Sequence, residues 1–208
     1  MQRKLMLAAA AVMMLAACNG PKETHLSAQF GDNAPEHVKV IVGDEFNSMI
    51  NVKDGKLDVD IPADVTRLSR IRSGLSVYSF ISDGSKITLN PEDGKAYSNK
   101  KNGVHSRYVE YTKWREGFLA EYNKKLDEIG NDKEAADAYF NEMRTQYYDH
   151  LKATVKANKS NILSMIALSQ MEGEDAKVRL SLINSLSSKM KAHPDVVKMK
   201  KACEDALK

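Results

Sequence analysis

The chain has 208 residues, with 31 Lys and Arg against 28 Asp and Glu, for a formal charge of +3. The two signs are interleaved throughout, which makes a solvated surface and excludes the basic stripe that would hold nucleic acid. The length suffices for one medium domain or two small ones with a real core.

The first elements are those of an export leader. Arg3 and Lys4 precede an uninterrupted apolar run from Leu5 to Leu15, and Ala16 and Ala17 lead to Cys18. Charge, apolar core and small residues in that order mark a secretory signal. The run is shorter than the roughly 20 residues a helix needs to span a bilayer. Leu15-Ala16-Ala17-Cys18 resembles the lipobox of bacterial lipoproteins. The resemblance implies cleavage after residue 17 and a diacylglyceryl group on the Cys18 thiol. Removing the leader takes two cations and no acid, so the net charge falls to +1. Residues 18–35 are rich in Gly, Pro and Asn without apolar periodicity, and read as a flexible tether.

A β domain is expected over 36–100. His37–Val42 is a β-branched run, Met49–Val52 a shorter one, and Leu57–Ile61 alternates strictly. Leu68–Ile71, Leu75–Ile81 and Lys86–Leu89 follow. Asp54-Gly55 and Asp83-Gly84 fall between strands, where a tight hairpin needs positive φ. Five or six such strands make an antiparallel sheet or a small sandwich.

From residue 104 the apolar period becomes helical, and 104–208 reads as an all-helical segment of about five helices. Tyr108, Tyr111, Trp114, Phe118, Tyr122, Leu126 and Ile129 form the first stripe, closed by Gly130. Ala136, Phe140, Met143, Tyr147, Leu151 and Thr154 form the second. Ser160 is the expected cap of a helix over 162–171. Val178, Leu182, Leu186 and Met190 mark a fourth helix, and Pro194 opens a fifth with Val197, Cys203 and Leu207 on its apolar side. The fold class is α+β.

The words Val52-Lys53-Asp54-Gly55-Lys56-Leu57 and Phe80-Ile81-Ser82-Asp83-Gly84-Ser85-Lys86-Ile87-Thr88-Leu89, with Asn158-Lys159-Ser160-Asn161-Ile162-Leu163 in the helical part, carry a further likeness. Residues 36–208 resemble the N-terminal domain of unknown function, and the helical segment after it, of Bacteroidota thioredoxin-like lipoproteins. In that family a thioredoxin-like domain with a Cys-x-x-Cys pair usually follows. Lys208 stands about where it would begin, so the family's redox residues have no positions here. The resemblance implies an envelope location and leaves two outcomes for the last helices, over 175–191 and 194–208: an ordinary polar surface, to which their lysines lean, or docking of a thioredoxin-like protein in trans.

The chemistry in the sequence is sparse. His25, His37, His105, His150 and His193 are far apart, and no Cys pair, nucleophile motif or phosphate loop occurs. With Cys18 lipidated, Cys203 is the one remaining thiol, expected as a small buried hydrophobe. No catalytic residue, metal or cofactor is therefore expected. The concentrated aromatics Tyr111, Trp114 and Phe118 fit packing of the first helix against the sheet, or else a binding groove. The leading expectation is a membrane-anchored, non-enzymatic envelope lipoprotein with a structural or interaction role. The alternatives are a small-ligand or glycan-binding lipoprotein and a hydrolase with dispersed carboxylates.

Overall fold

The structure is a computed structural model that describes residues 23–32 and 34–208. The expected leader over 1–17 and the expected lipidation site, Cys18, lie outside the described residues. Among those described, eight strands come first and six helices follow, an α+β chain. Two compact units emerge. One is the chain up to Asp64 together with Ser69–His105; the other is Val65–Leu68 together with Ser106–Lys208.

The β unit holds β1 (Glu23–Gln29), β2 (His37–Val42), β3 (Phe46–Asn51), β4 (Lys56–Pro62), β5 (Asp64–Ser73), β6 (Ser76–Ser82), β7 (Lys86–Asn90) and β8 (Lys95–Ser98). They form two four-stranded sheets, ordered β4-β1-β7-β8 and β3-β2-β5-β6. A single core takes Leu26, Leu57, Ile61, Ile87 and Leu89 from the first sheet and Val38, Val40, Ile71, Tyr78 and Phe80 from the second. The arrangement is a sandwich rather than one sheet. It is not wholly antiparallel, because β1 runs parallel to β7 while pairing antiparallel with β4.

Two strands are additions to the expected set. β1 lies inside the segment read as tether: Thr24, Leu26, Ala28 and Phe30 alternate inward and are buried. Its inward positions include a threonine and an alanine, which weakens the apolar alternation by which a strand is recognised. β8 is four residues long and buries only Ala96. The Asp-Gly turns also act differently from the expectation. Asp54 and Gly55 have φ of 50° and 72°, as a tight turn demands, yet this turn carries the chain from one sheet to the other. Asp83-Gly84 makes a second crossing, whereas Asp93-Gly94 closes the β7–β8 hairpin.

The helical unit holds α1 (Val104–Ile129), α2 (Lys133–Ala157), α3 (Ile162–Ser169), α4 (Ala176–Asn184), α5 (Ser188–Lys191) and α6 (Pro194–Asp205). Gly130 ends α1 at φ 62°, and Asp132 caps α2 by accepting from the Ala135 amide. Asn161, not Ser160, caps α3, accepting from the Leu163 amide. The expected fourth helix is broken. Leu182, Leu186 and Met190 are all buried, but Ser185–Ser187 turns the chain between α4 and α5. On α6 the buried side runs through Val196 and Cys203, and Val197 is exposed. No helix among the described residues is long and apolar enough to cross a membrane.

Candidate functional site

α1 and α2 form an antiparallel hairpin seamed by aromatic rings. On α1 the spacing Tyr111, Trp114, Phe118, Tyr122 repeats every three or four residues, so all four rings share one face. α2 answers with His150, Tyr147 and Tyr139 in reverse order. Trp114 stacks on His150, with centroids 3.5 Å apart and planes 12° apart, and lies 5.5 Å from Tyr147. Phe118 meets Tyr147 at 5.2 Å, and Tyr122 stacks on Tyr139 at 5.8 Å. The three residues singled out from sequence, Tyr111, Trp114 and Phe118, are thus brought together, and the rings they meet are on α2.

The two ends of the seam differ. At the stem, Tyr111 is buried, and Leu151 and Val155 of α2 pack with Ile162 and Leu163 in the interior. From Thr112 to Glu142, by contrast, no residue is buried. This stretch carries Trp114, Phe118, Leu119, Tyr122, Leu126, Ile129, Tyr139 and Phe140. A groove of about 250 Å³ opens along it, lined by Phe118, Leu119, Tyr122, Phe140, Met143 and Tyr147. The Arg144 guanidinium sits 5.9 Å over the Phe140 ring, within cation–π range. A second, more polar cleft of about 280 Å³ lies towards the stem, between Glu110, Trp114, His150, Thr154 and Asn158.

Burial sets the ionisation of this region. It lowers the His150 pKa, so the ring stacked on Trp114 is neutral near pH 7. It raises the Tyr111 hydroxyl well above the usual phenol range, and that oxygen, near Gln170, makes no well-aligned hydrogen bond. The Tyr147 hydroxyl donates to the Gln170 side-chain oxygen. Glu174 is held low by the Lys152 ammonium, 2.6 Å away. Asp93 and Glu128 are likewise lowered, first of all by hydrogen bonds from Tyr97 and Lys125. A general acid needs the opposite displacement.

One constellation escaped the sequence reading. Asp83, Ser85 and His105 gather in the β unit, the residue types of a hydrolytic triad. The Asp83 carboxylate accepts from the Ser85 hydroxyl at 2.5 Å and from the His105 backbone amide at 3.0 Å. The His105 ring is fully committed: Nδ1 accepts from the Ile81 amide at 3.2 Å, and Nε2 donates to the Ala96 carbonyl at 2.9 Å. With both nitrogens on backbone, the ring cannot serve as base to Ser85. The cluster ties strands to the start of α1. The signal for it was the Asp-Gly-Ser turn, whose importance lies in contacts some 20 residues away.

No known family model, curated protein or solved structure matches this chain.

Proposed function

We propose that this chain is a lipid-anchored, non-enzymatic interaction protein of the bacterial envelope, and that the α1–α2 hairpin is its binding element. The observation that carries the reading is the run from Thr112 to Glu142, whose aromatic stripe stays half-buried with Leu119 and Phe140 exposed, so that none of its apolar side chains is fully buried. An amphipathic helix gains most of its stability from packing an apolar face. A hairpin that leaves Leu119 and Phe140 more than two-fifths exposed has packing still to complete. The groove suits an apolar side of a partner helix or peptide, recognised by anchors one turn apart. The lipobox supplies the location, since a diacylglyceryl chain on Cys18 holds the protein at a membrane.

The test uses a photo-crosslinking residue in place of Leu119 in the exporting cell. The expected result is a discrete adduct, lost on adding Phe140→Asp, and a wild-type protein that partitions into detergent while Cys18→Ala does not. No adduct at this position, or an adduct indifferent to Phe140→Asp, would overturn the groove assignment. Equal partitioning of wild type and Cys18→Ala would overturn the anchor. A thioredoxin-like envelope protein is one partner the adduct could reveal. A second reading, a small polar or glycan ligand, draws on the cleft where Glu110 and Asn158 flank the Trp114 ring.

A further inference from the structure

The β3-β2-β5-β6 sheet gives one face to the core; the other is exposed or half-exposed along the rows through Met49 and Asn47 and is covered only further along β6, at Ile81. Register sets Met49, Lys39, Arg72 and Val77 side by side across its four strands on the solvent face. The next row reads Asn47, Ile41, Arg70 and Ser79. Met49 is 61% exposed and Val77 52%, and Leu75, in the β5–β6 turn, is fully exposed. Lys39, Arg70 and Arg72 make no ion pair among the described residues. Glu36, Asp44 and Glu45 lie in the segments flanking β2, and Asp64 stands at the start of β5, six residues before Arg70. The other sheet presents a mixed face: Asp58 and Asp60 of β4 flank His25 at 3.5 and 2.9 Å, and Lys56 and Lys86 are exposed on the same side. Unpaired cations of the sandwich thus gather, with exposed apolar side chains, on the β3-β2-β5-β6 side.

We infer that the basic side docks flat on an anionic phospholipid surface. The inference rests on the reading of Cys18 as the lipid attachment site. From Cys18 to the first residue of β1 is five residues, at most about 18 Å of extended chain. Stacked sheets lie about 10 Å apart, so this length reaches from β1 round the sandwich to the plane of the opposite sheet's outer face. The ends are also fixed. Pairing of Lys39 with Arg72 puts the β5–β6 turn beside His37, which pairs with Asn51 at the end of β3. The Asp54-Gly55 turn then delivers the chain to Lys56, the partner of Gln29. Glu23 stands at the end away from Leu75. The anchor holds one end of the face, and Leu75 meets the membrane at the other. The two guanidinium groups can take lipid phosphates bidentately, and the lysine ammonium adds a third charge. Leu75, Met49 and Val77 enter the headgroup boundary.

The test is sedimentation of the unlipidated chain from Asn19 to Lys208, which keeps every described residue. The vesicles are phosphatidylcholine alone, or phosphatidylcholine mixed with phosphatidylglycerol. The expected result is binding to the anionic vesicles only, weakening with added salt. Arg70→Glu with Arg72→Glu is expected to lower it at least about tenfold, and Leu75→Asp to lower it further. Both changes are at exposed positions, and an unaltered thermal transition shows that the variants fold. Binding to neither vesicle, equal binding to both, or wild-type binding by the charge-reversed variant overturns the proposal. Because the probe carries no lipid, its failure is separate from a failure of the Cys18 assignment, which detergent partitioning reads.

Discussion

Phe80 and Phe140 are the same side chain in opposite circumstances. Phe80, on β6, has no exposed surface and touches a core drawn from both sheets, while Phe140, on α2, is 47% exposed at the edge of a groove. Most large apolar residues of the β unit face its own core, Met49, Leu75 and Val77 being among the exceptions. The outer part of the helical hairpin holds its own at the surface, where they add little to stability and are available to a second molecule. That contrast separates residues whose loss unfolds the protein from residues whose loss leaves it folded and unable to bind.

The largest effect that would break the contrast is in the core. Phe80→Ala is expected to cost about 3–5 kcal/mol, the transfer and cavity cost of a buried phenyl ring, read as a lowered urea midpoint. A loss below about 1 kcal/mol would mean that the sandwich core is not closed around this ring.

Next comes His105, which is buried without an apolar role. Its loss leaves the Ile81 amide and the Ala96 carbonyl unpaired, at about 1–3 kcal/mol for each buried group. Burial holds its pKa below the ordinary 6.5, so the unfolded chain binds the proton more readily than the folded one. The stability it contributes is therefore complete above pH 6.5 and falls as the pH drops towards the folded value. The melting temperature of the wild type should decline through that window, and His105→Asn should show a shallower decline. Parallel pH profiles for the two proteins would remove His105 as the cause.

The smallest effect is expected at Phe140. Phe140→Ala should move stability by no more than about 0.5 kcal/mol, as for other surface positions, while abolishing the adduct formed from Leu119. A destabilisation comparable to that of Phe80→Ala would show that the hairpin surface is structural after all.

How much of this was readable in advance follows from where the information lies. β2 was legible residue for residue, because His37–Val42 is β-branched and alternates. β1 was not: its sequence neighbours are Gly, Pro and Asn, and Thr24 and Ala28 do duty as core residues only because β4 and β7 flank them. The break between α4 and α5 was hidden because Leu186 and Met190 keep the helical spacing across it. At α3, two good capping residues stand side by side, and only geometry chooses Asn161 over Ser160. For the candidate site, the aromatic stripe on α1 was plain from spacing. Its match to Tyr139, Tyr147 and His150 depends on the relative register of two helices, which no single-helix period encodes.

The position of β1 bears on how the protein is made. It lies between β4 and β7, and its parallel partner begins at Lys86, 61 residues after the His25 with which it pairs. The strand nearest the N-terminus must therefore wait, unpaired on one side, until the chain through β7 has been delivered. Non-local parallel pairing of this kind is slow to form and leaves strand edges open meanwhile. The helical hairpin closes through near neighbours and has no such delay. During synthesis the half of the chain that arrives first is thus the half that finishes last, and the interval between the two is when a folding helper or a protease would find it.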